Sequence, residues 1–290
     1  MEIRVGKKWT LKKKLGSGSF GDVHIGKHCE TGHITAIKLE RDIKDKKTNL
    51  KKEYEAYKKL NDNNKDSKYN IPKYHYYNRE GDYNVLVIDY FEYNLSELKY
   101  KDKDNYNLKN VLIIADQLIN TLEYIHDNNI IHRDLSRKNI MYNLKDNNIY
   151  IIDFGMSKVY FNKKNNTHIN MTEKKSPVGT YKYNSINSMN LKETSRRDDL
   201  ESLGYILIKC LKDNLSWDKI RDINKIREKK IQSIETGELF ENCPEEFKTY
   251  INYCRNLEFT QRPDYNYLKT LFKNLFFKNQ YGSFDLEFNL

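Results

Sequence analysis

The sequence predicts an α+β fold in which a small β-rich N-terminal lobe precedes a larger, mainly helical C-terminal lobe. Short β-prone runs between glycine-containing turns fill the first third of the chain. Apolar residues recur at helical spacing in the rest. A chain of 290 residues, 38% of them hydrophobic, is long enough for two lobes that share a cleft. We expect a single domain over residues 1–290, with the N-lobe at about 1–90 and the C-lobe at about 91–280.

The N-terminal elements follow from β-branched and aromatic runs and from one charged helical segment. Three strands are predicted first, at Thr10–Leu15, Val23–Lys27 and Thr35–Leu39. A helix at about Leu50–Leu60 follows, then a polar loop at 61–70 and a buried strand at Val85–Asp89. The joint between the lobes is expected near residues 89–94.

The C-terminal elements follow mainly from apolar residues that repeat every three or four positions. This spacing predicts helices at 108–126 and Asp199–Leu211. A short strand is expected at Ile149–Ile152. The stretch 156–182 is polar and shows no period, and Glu245–Phe277 predicts two helices broken near Arg262-Pro263.

Charge and cysteine content limit the classes of function. The formal net charge is +10, which favours acidic partners. Because the lysines are dispersed, a solvated surface is the simpler reading, and we expect no dedicated nucleic-acid site. The four cysteines form no Cys-x-x-Cys pair, which is typical of reduced intracellular thiols. We expect a cytoplasmic or nuclear monomer with no signal peptide and no membrane contact.

The first motif is "GSGSFGDV" at 16–23, a Gly-x-Gly-x-x-Gly-x-Val pattern. Glycines let a backbone approach phosphate oxygens and present N–H donors to them. Many such turns bind nothing, and the spacing also fits a dinucleotide fingerprint. The following run is strand-like and not helical, however, which disfavours that alternative. The candidate nucleotide-binding residues here are Leu15, Gly16, Ser17, Gly18, Ser19, Phe20, Gly21, Asp22 and Val23.

The second motif is "TAIK" at 35–38, in which Lys38 lies in a predicted strand beside Ala36. A strand lysine is often a surface residue, but its apolar neighbours favour a position in a cleft. Glu53 in the following helix is the expected partner of Lys38, and Glu55 is the alternative.

The third and fourth motifs are "HRDLSRKN" at 132–139 and "IIDFGMS" at 151–157. The carboxylate of Asp134 can orient a hydroxyl and accept its proton. Asn139 and Asp153 offer oxygen ligands of the kind that Mg²⁺ prefers. Each motif alone could be an ordinary turn without a catalytic role. The four motifs together, however, occur in the order that phosphoryl transfer from ATP requires.

From Met1 to about residue 277, the chain resembles a protein kinase of the casein kinase 1 family. Three stretches carry the resemblance together with the motifs above, namely "GTYKYNSIN", "SRRDDLESLGY" and "NYCRNLEFTQRPDYNYL". The most specific sign is Ser185-Ile186-Asn187, where most protein kinases have Ala-Pro-Glu. The resemblance implies the bilobal protein-kinase fold.

The resemblance also implies that ATP and Mg²⁺ are used, and it implies a role for each motif residue. Glu53 would brace Lys38, which would hold the α- and β-phosphates. Asp153 and Asn139 would bind Mg²⁺, and Asp134 would be the catalytic base. The adenine pocket and the anchor of the catalytic loop would be formed by Ala36, Ile88, the hinge Asp89–Phe91 and Asp199.

For substrates, the resemblance implies serines and threonines that follow acidic or phosphorylated residues. Arg196 and a lysine of the pair Lys229–Lys230 match the positions of the family's anion pocket, although all three could be ordinary surface cations. Thr180 is typical of serine/threonine kinases, since tyrosine kinases typically have proline there.

One departure concerns the catalytic loop. Serine/threonine kinases usually have a lysine two residues after the catalytic aspartate, whereas this chain has Ser136. Our hypothesis is that Lys138 takes over the phosphate contact, with Arg137 as a weaker candidate. This arrangement leaves some tyrosine activity open. The alternative functions are a pseudokinase scaffold that binds nucleotide or partners with little catalysis and, less favoured, a basic nucleic-acid-binding protein.

Overall fold

The computed structural model describes residues 2–18, 21–43 and 48–290. The N-terminal part is a six-stranded antiparallel sheet whose strands are β1 (Arg4–Val5), β2 (Trp9–Gly18), β3 (Gly21–His28), β4 (Ile34–Arg41), β5 (Tyr74–Glu80) and β6 (Tyr83–Asp89). Their spatial order is β1-β2-β3-β4-β6-β5. Strands β4 and β6 are therefore central. Because they are antiparallel, β6 ends beside the start of β4, at the edge where the chain continues into its helical part.

The two faces of this sheet bury different apolar clusters. Because successive strand residues point to opposite faces, Ile37 packs with Val85 and Val87 on one face. Ala36 and Ile88 lie on the other face and belong to the main core. Lys38 has the same parity as Ala36, so β4 presents it on the main-core side.

Helix α1 (Asn49–Asn63) covers that side of the sheet. Its buried positions repeat at helical spacing and are Leu50, Glu53, Ala56, Tyr57 and Leu60. One acidic residue, Glu53, thus lies in an otherwise apolar stripe. Glu55 lies on the exposed face of the same helix.

The C-terminal part is mainly helical. Its helices are α2 (Leu95–Lys101), α3 (Leu108–Asp127), α4 (Ile186–Met189), α5 (Arg196–Lys212), α6 (Ile223–Glu235), α7 (Glu245–Asn256) and α8 (Tyr265–Lys278). Helix α3 is largely buried and packs against α5 and α8. The α+β class and the bilobal arrangement predicted from the sequence are confirmed.

Short strands connect the helices near the centre of the molecule. They are β7 (Tyr93–Asn94), β8 (Ile130–Ile131), β9 (Ile140–Asn143), β10 (Asn148–Ile151), β11 (Lys158–Val159), β12 (Phe161–Asn162) and β13 (Thr167–His168). Strands β9 and β10 form a hairpin, and β9 also pairs with β7. The hairpin places the segment before β9 beside the segment after β10, and these two segments carry the third and fourth motifs.

Three local features differ from the sequence prediction. Helix α1 extends to Asn63, into the stretch predicted as loop. The strand Tyr74–Glu80 was not predicted, because its sequence, YHYYNRE, is polar and its pairing with β6 is non-local. Helix Ile223–Glu235 was also missed, since it buries only Ile226, Lys230 and Ser233. In the part of the chain that the structure describes, no helix is long and apolar enough to cross a membrane.

Candidate active site

Lys38 and Glu53 form a buried ion pair between the sheet and α1. Lys38 Nζ lies 2.5 Å from Glu53 Oε1. The side chain of Glu53 is 2% exposed and that of Lys38 14%. The structure therefore pairs Lys38 with Glu53, while the alternative partner, Glu55, faces solvent.

Asp153 lies on the other side of the same lysine. Its Oδ1 is 3.6 Å from Lys38 Nζ. The residue has a φ of 68°, a left-handed conformation uncommon for a non-glycine residue. Phe154 is fully buried, and its ring meets Tyr57 of α1 at a centroid distance of 5.0 Å. This packing places the carboxylate of Asp153 towards Lys38.

Asp134 is fixed by the segment that contains Thr180. Its Oδ1 accepts hydrogen bonds from the Thr180 N–H at 2.8 Å and from the Thr180 hydroxyl at 2.7 Å. The Asn139 side-chain amide donates to the Asp134 backbone carbonyl at 2.9 Å. These bonds leave the amide oxygen of Asn139 free to act as a ligand.

Gly179 allows the segment that contains Thr180 to lie close to the backbone at Arg133 and to the side chain of Asp134. It has a φ of +92°, and a Cβ atom at this position would lie 2.3 Å from the Arg133 carbonyl oxygen. Since real Cβ contacts are never so short and L-residues rarely adopt this φ, the position requires glycine.

Asp199 holds the start of the catalytic loop from inside the C-terminal part. Its carboxylate accepts the backbone N–H groups of His132 at 2.7 Å and Arg133 at 2.8 Å. His126 Nε2 lies 3.0 Å from the same carboxylate. Arg133 has a φ of 68°, and this bracing stabilises that conformation.

Two connected cavities lie between the sheet and the helical part. The first, about 370 Å³, is lined by Lys38, Glu53, Asp134, Asn139, Asp153 and Thr180, among others. The second, about 390 Å³, is lined by Ala36, Ile88, Asp89 and Phe91 together with Leu15 and Gly16. Ser17, Val23, Lys38, Lys138, Asn139 and Asp153 line both cavities. The first cavity is therefore polar and acidic, and the second is bounded by the hinge.

Described residues on both sides of the glycine-rich turn line the cleft. The strands on either side of it pair Gly16 with Val23, Ser17 with Asp22 and Gly18 with Gly21. Gly21 has a φ of +130°, and a Cβ there would lie 2.0 Å from the Leu39 carbonyl oxygen. Ser19 and Phe20, which the sequence also proposes as nucleotide-binding, lie outside the described residues.

The three residues after Leu135 point in different directions. Ser136 is 5% exposed and lines the polar cavity. Arg137 turns into the C-terminal part, where burial lowers the pKa of its guanidinium but Tyr183 and Cys210 outweigh that effect and raise it. Lys138 is exposed and lines both cavities. Of the two cations weighed from the sequence, Lys138 is the one at the cleft.

The acidic groups of the cleft titrate differently. Burial alone would raise the pKa of Asp153, but Lys38 and His132 outweigh it, and the pKa is lowered. Burial and the neighbouring Asp153 raise the pKa of Glu53 to about 7, against the opposite effect of Lys38. Burial also raises the pKa of Asp134, although the hydrogen bonds from Thr180 lower it in part. Of these three carboxylates, only that of Asp153 has a lowered pKa.

Several cavity residues were not found from the sequence. Met141 and Ile152 line the hinge-side cavity from β9 and from the end of β10, and Leu50 lines the polar one from α1. Glu92, Asn94 and Glu97, which follow the predicted hinge, also line the hinge-side cavity. The alternation of β9 after Asn139 is the only sequence signal that points to Met141.

The three residues predicted as an anion pocket each have separate partners. Arg196 packs over the Tyr160 ring and donates to the Thr260 carbonyl at 2.5 Å. Lys229 pairs with Glu238 at 2.8 Å. Lys230 is fully buried and donates to the carbonyls of Tyr181 at 3.0 Å and Asn184 at 2.7 Å. Lys230 therefore holds the backbone after Thr180 and presents no charge to solvent.

Comparison with known families agrees with this geometry. A family model described as "Protein kinase domain" matches residues 9–277, which is most of the chain. The chain therefore belongs to the protein kinase family. Membership implies a phosphotransferase that uses ATP and a divalent metal ion and acts on protein substrates.

Proposed function

We propose that this protein kinase is of casein kinase 1 type and transfers the γ-phosphoryl group of ATP to serine and threonine hydroxyls of acidic or pre-phosphorylated proteins. The observation that carries the proposal is the convergence of Lys38, Asp134, Asn139 and Asp153 on one polar cavity. Catalysis by such a site rests on positioning and on electrostatic stabilisation of the transferring group.

Asp134 is the proposed base. Its Oδ1 is already hydrogen-bonded by Thr180, which fixes the carboxylate in the polar cavity. An acceptor hydroxyl beside Asp134 would be oriented for attack on the γ-phosphorus. As the new O–P bond forms and the bond between the γ-phosphorus and the bridging oxygen of ADP breaks, the hydroxyl proton passes to Asp134.

Asn139 and Asp153 are the proposed metal ligands. The lowered pKa of Asp153 keeps its carboxylate anionic, and the Asn139 amide oxygen is left available by the bond that its nitrogen makes. Both residues line the cavity, and both offer the oxygen donors that Mg²⁺ prefers. A divalent cation held by Asn139 and Asp153 would supply positive charge at the phosphates of ATP.

Lys38 and Lys138 are the proposed cations of the phosphate site. Glu53 holds the Lys38 ammonium at 2.5 Å, so the lysine is fixed before nucleotide enters. Lys138 approaches from the catalytic loop, where Ser136 is too short to do so. Arg137 is directed into the C-terminal part and is not proposed for this role.

The proposed preference for serine and threonine rests on Thr180, whose hydroxyl bonds the base directly. The proposed preference for acidic substrates is supported by the net charge of +10. Lys182, two residues after Thr180, is 37% exposed but is already paired with Asp218 at 3.1 Å. Arg196 and Lys229 remain secondary candidates for an anion contact because each already has a protein partner. Lys230 is left out because it is buried.

A pseudokinase scaffold is the second candidate function. The observation that favours it is Ser136, which leaves the position two residues after Asp134 without a cation. Every other proposed catalytic side chain within the described residues lines the cleft, so the scaffold is the weaker proposal.

A peptide phosphorylation assay tests the proposal. The protein is incubated with γ-labelled ATP, Mg²⁺ and peptides that carry serine, threonine or tyrosine after neutral, acidic or phosphorylated residues. We expect label on serine and threonine and faster transfer to the acidic and phosphorylated peptides. Nucleotide binding without transfer to any peptide would instead favour the scaffold.

A further inference from the structure

A second group of metal-ligating side chains lies beside the hinge, and one of its members, Asp89, also lines the cleft. His33 precedes β4, His75 lies in β5, and Asp89 ends β6. One ligand atom from each residue lies within 4.8 Å of the other two. The proposed catalytic mechanism uses neither histidine.

The shared atom of this cluster is Asp89 Oδ1. His75 Nε2 lies 2.7 Å from it and His33 Nε2 lies 4.0 Å from it. The two imidazole rings are 5.7 Å apart and meet edge to face. A nitrogen of each ring therefore lies near one carboxylate oxygen, His33 from the turn before β4 and His75 from β5.

The carboxylate of Asp89 is also held by a backbone hydrogen bond on its other oxygen. The Lys73 N–H donates to Asp89 Oδ2 at 2.8 Å, which orients the carboxylate and leaves Oδ1 to the histidines. Such an outer hydrogen bond is what commonly fixes a carboxylate ligand in a metal site.

We propose that His33, His75 and Asp89 form a binding site for one divalent transition-metal ion of the zinc type. Two imidazoles and one carboxylate suit such ions, with ligand distances of about 2.0–2.2 Å. Ligand atoms around a tetrahedral ion lie roughly 3.3–3.5 Å apart. The His33–Asp89 contact at 4.0 Å would therefore shorten, and the His75–Asp89 contact at 2.7 Å would lengthen, each by less than about 1 Å. His33 is 46% exposed and can make that movement by side-chain rotation.

The site would join two segments of the N-terminal sheet to the hinge. Asp89 lines the hinge-side cavity of the cleft and also a polar cavity of about 510 Å³ behind it, which His75 shares. An ion bound there would hold the turn before β4, strand β5 and the first hinge residue together. It is separate from the Asn139 and Asp153 pair proposed for the nucleotide metal.

Metal binding to the full chain tests the proposal without any assay of kinase activity. Chelator-treated protein is titrated with Co²⁺ and Zn²⁺ in excess Mg²⁺, so that oxygen sites in the cleft are already filled. We expect one Co²⁺ per chain with the visible absorption of a low-coordinate site, displaced by Zn²⁺. Zn²⁺ should also raise the unfolding temperature by several degrees.

Variants locate the ion. His33→Ala and His75→Ala should each weaken Zn²⁺ binding at least about tenfold and remove the thermal shift. His24→Ala and Cys29→Ser, which change potential ligands outside the cluster, should leave the Zn²⁺ affinity and the thermal shift unchanged. Circular dichroism and nucleotide binding of the two histidine variants check that they are folded. Absence of Co²⁺ binding by the wild type, or binding that survives the His33→Ala/His75→Ala double substitution, would overturn the proposal.

Discussion

Asp134 Oδ1 accepts two hydrogen bonds from one residue, at 2.8 Å from the Thr180 N–H and at 2.7 Å from the Thr180 hydroxyl. This contact joins the catalytic loop to the segment that would receive the substrate. It sets the position of the proposed base before substrate arrives, and it depends on the positive φ of Gly179 next to it.

Thr180→Val removes the hydroxyl bond to Asp134 and keeps the side-chain shape. A hydrogen bond to a charged group contributes about 1.5–3 kcal/mol, so kcat should fall roughly 10- to 100-fold. Steady-state kinetics should show little change in KM for ATP. Thr180→Ser retains the hydroxyl and should stay close to wild type; equal losses in both variants would contradict the role given to this bond.

Lys138→Ala tests the cation proposed to replace the absent lysine at position 136. Loss of a positive group near the transferring phosphoryl should lower kcat by roughly 10²–10³-fold while ATP still binds. The double variant Ser136→Lys/Lys138→Ala returns a cation to the cleft from the usual position and should recover much of the loss. Unchanged turnover in Lys138→Ala would rule the hypothesis out.

Gly179→Ala should displace the catalytic loop. The added Cβ would meet the Arg133 carbonyl oxygen at 2.3 Å in a backbone conformation of φ +92°. Gly237→Ala is the matched control, because Gly237 has a φ of +84° but no atom near the added Cβ. Both variants should lose roughly 1–3 kcal/mol from backbone strain, and Gly179→Ala should lose more, together with most of its activity. Thermal unfolding and kcat, measured for Gly179→Ala and Gly237→Ala, give the differences in stability and activity between the two variants.

Lys230 should give the protein a distinctive pH dependence of stability. Burial lowers the pKa of this ammonium to about 7 in the folded state, whereas an unfolded lysine titrates near pH 10.4. Between these values the unfolded chain binds more protons at this position, so folding stability from this group rises with pH. Below pH 7 both states are protonated and the dependence ends.

Comparison with Lys230→Met isolates that contribution. From pH 7 to 9, the difference between the free energy of unfolding of the wild type and that of Lys230→Met should increase, in favour of the wild type, by up to about 1.4 kcal/mol per pH unit. Lys229→Met changes the neighbouring lysine, which is paired with Glu238. Its free energy of unfolding should depend on pH in the same way as that of the wild type. Urea unfolding at several pH values measures both. Parallel curves for Lys230→Met and wild type would refute the assignment.

Much of the fold was predictable because the sequence encodes it locally. Helix α3 follows from apolar residues at helical spacing, and the break between α7 and α8 follows from Pro263. Strand Tyr74–Glu80 was not predictable, since its polar sequence becomes a strand only by pairing with β6. The burial of Lys230 was likewise hidden, because its acceptors, the Tyr181 and Asn184 carbonyls, come from a distant part of the chain.

The site was predictable in outline and less so in detail. The motif letters named Lys38, Asp134, Asn139 and Asp153, but they left open whether Glu53 or Glu55 meets Lys38. That choice depends on which face of α1 is buried, a tertiary property that places Glu53 inside and Glu55 in solvent. The directions of Arg137 and Lys138 depend in the same way on packing against the C-terminal part.

The central claim is that Asp134 takes part in phosphoryl transfer within a cleft that binds nucleotide independently of it. Asp134→Asn keeps the size of the side chain and removes its basicity. With γ-labelled ATP, Mg²⁺ and an acidic serine peptide, the account predicts label transfer by the wild type. In Asp134→Asn it predicts a loss of roughly 10²–10⁴-fold, with ATP affinity unchanged by calorimetry. Transfer by Asp134→Asn at the wild-type rate would contradict the account.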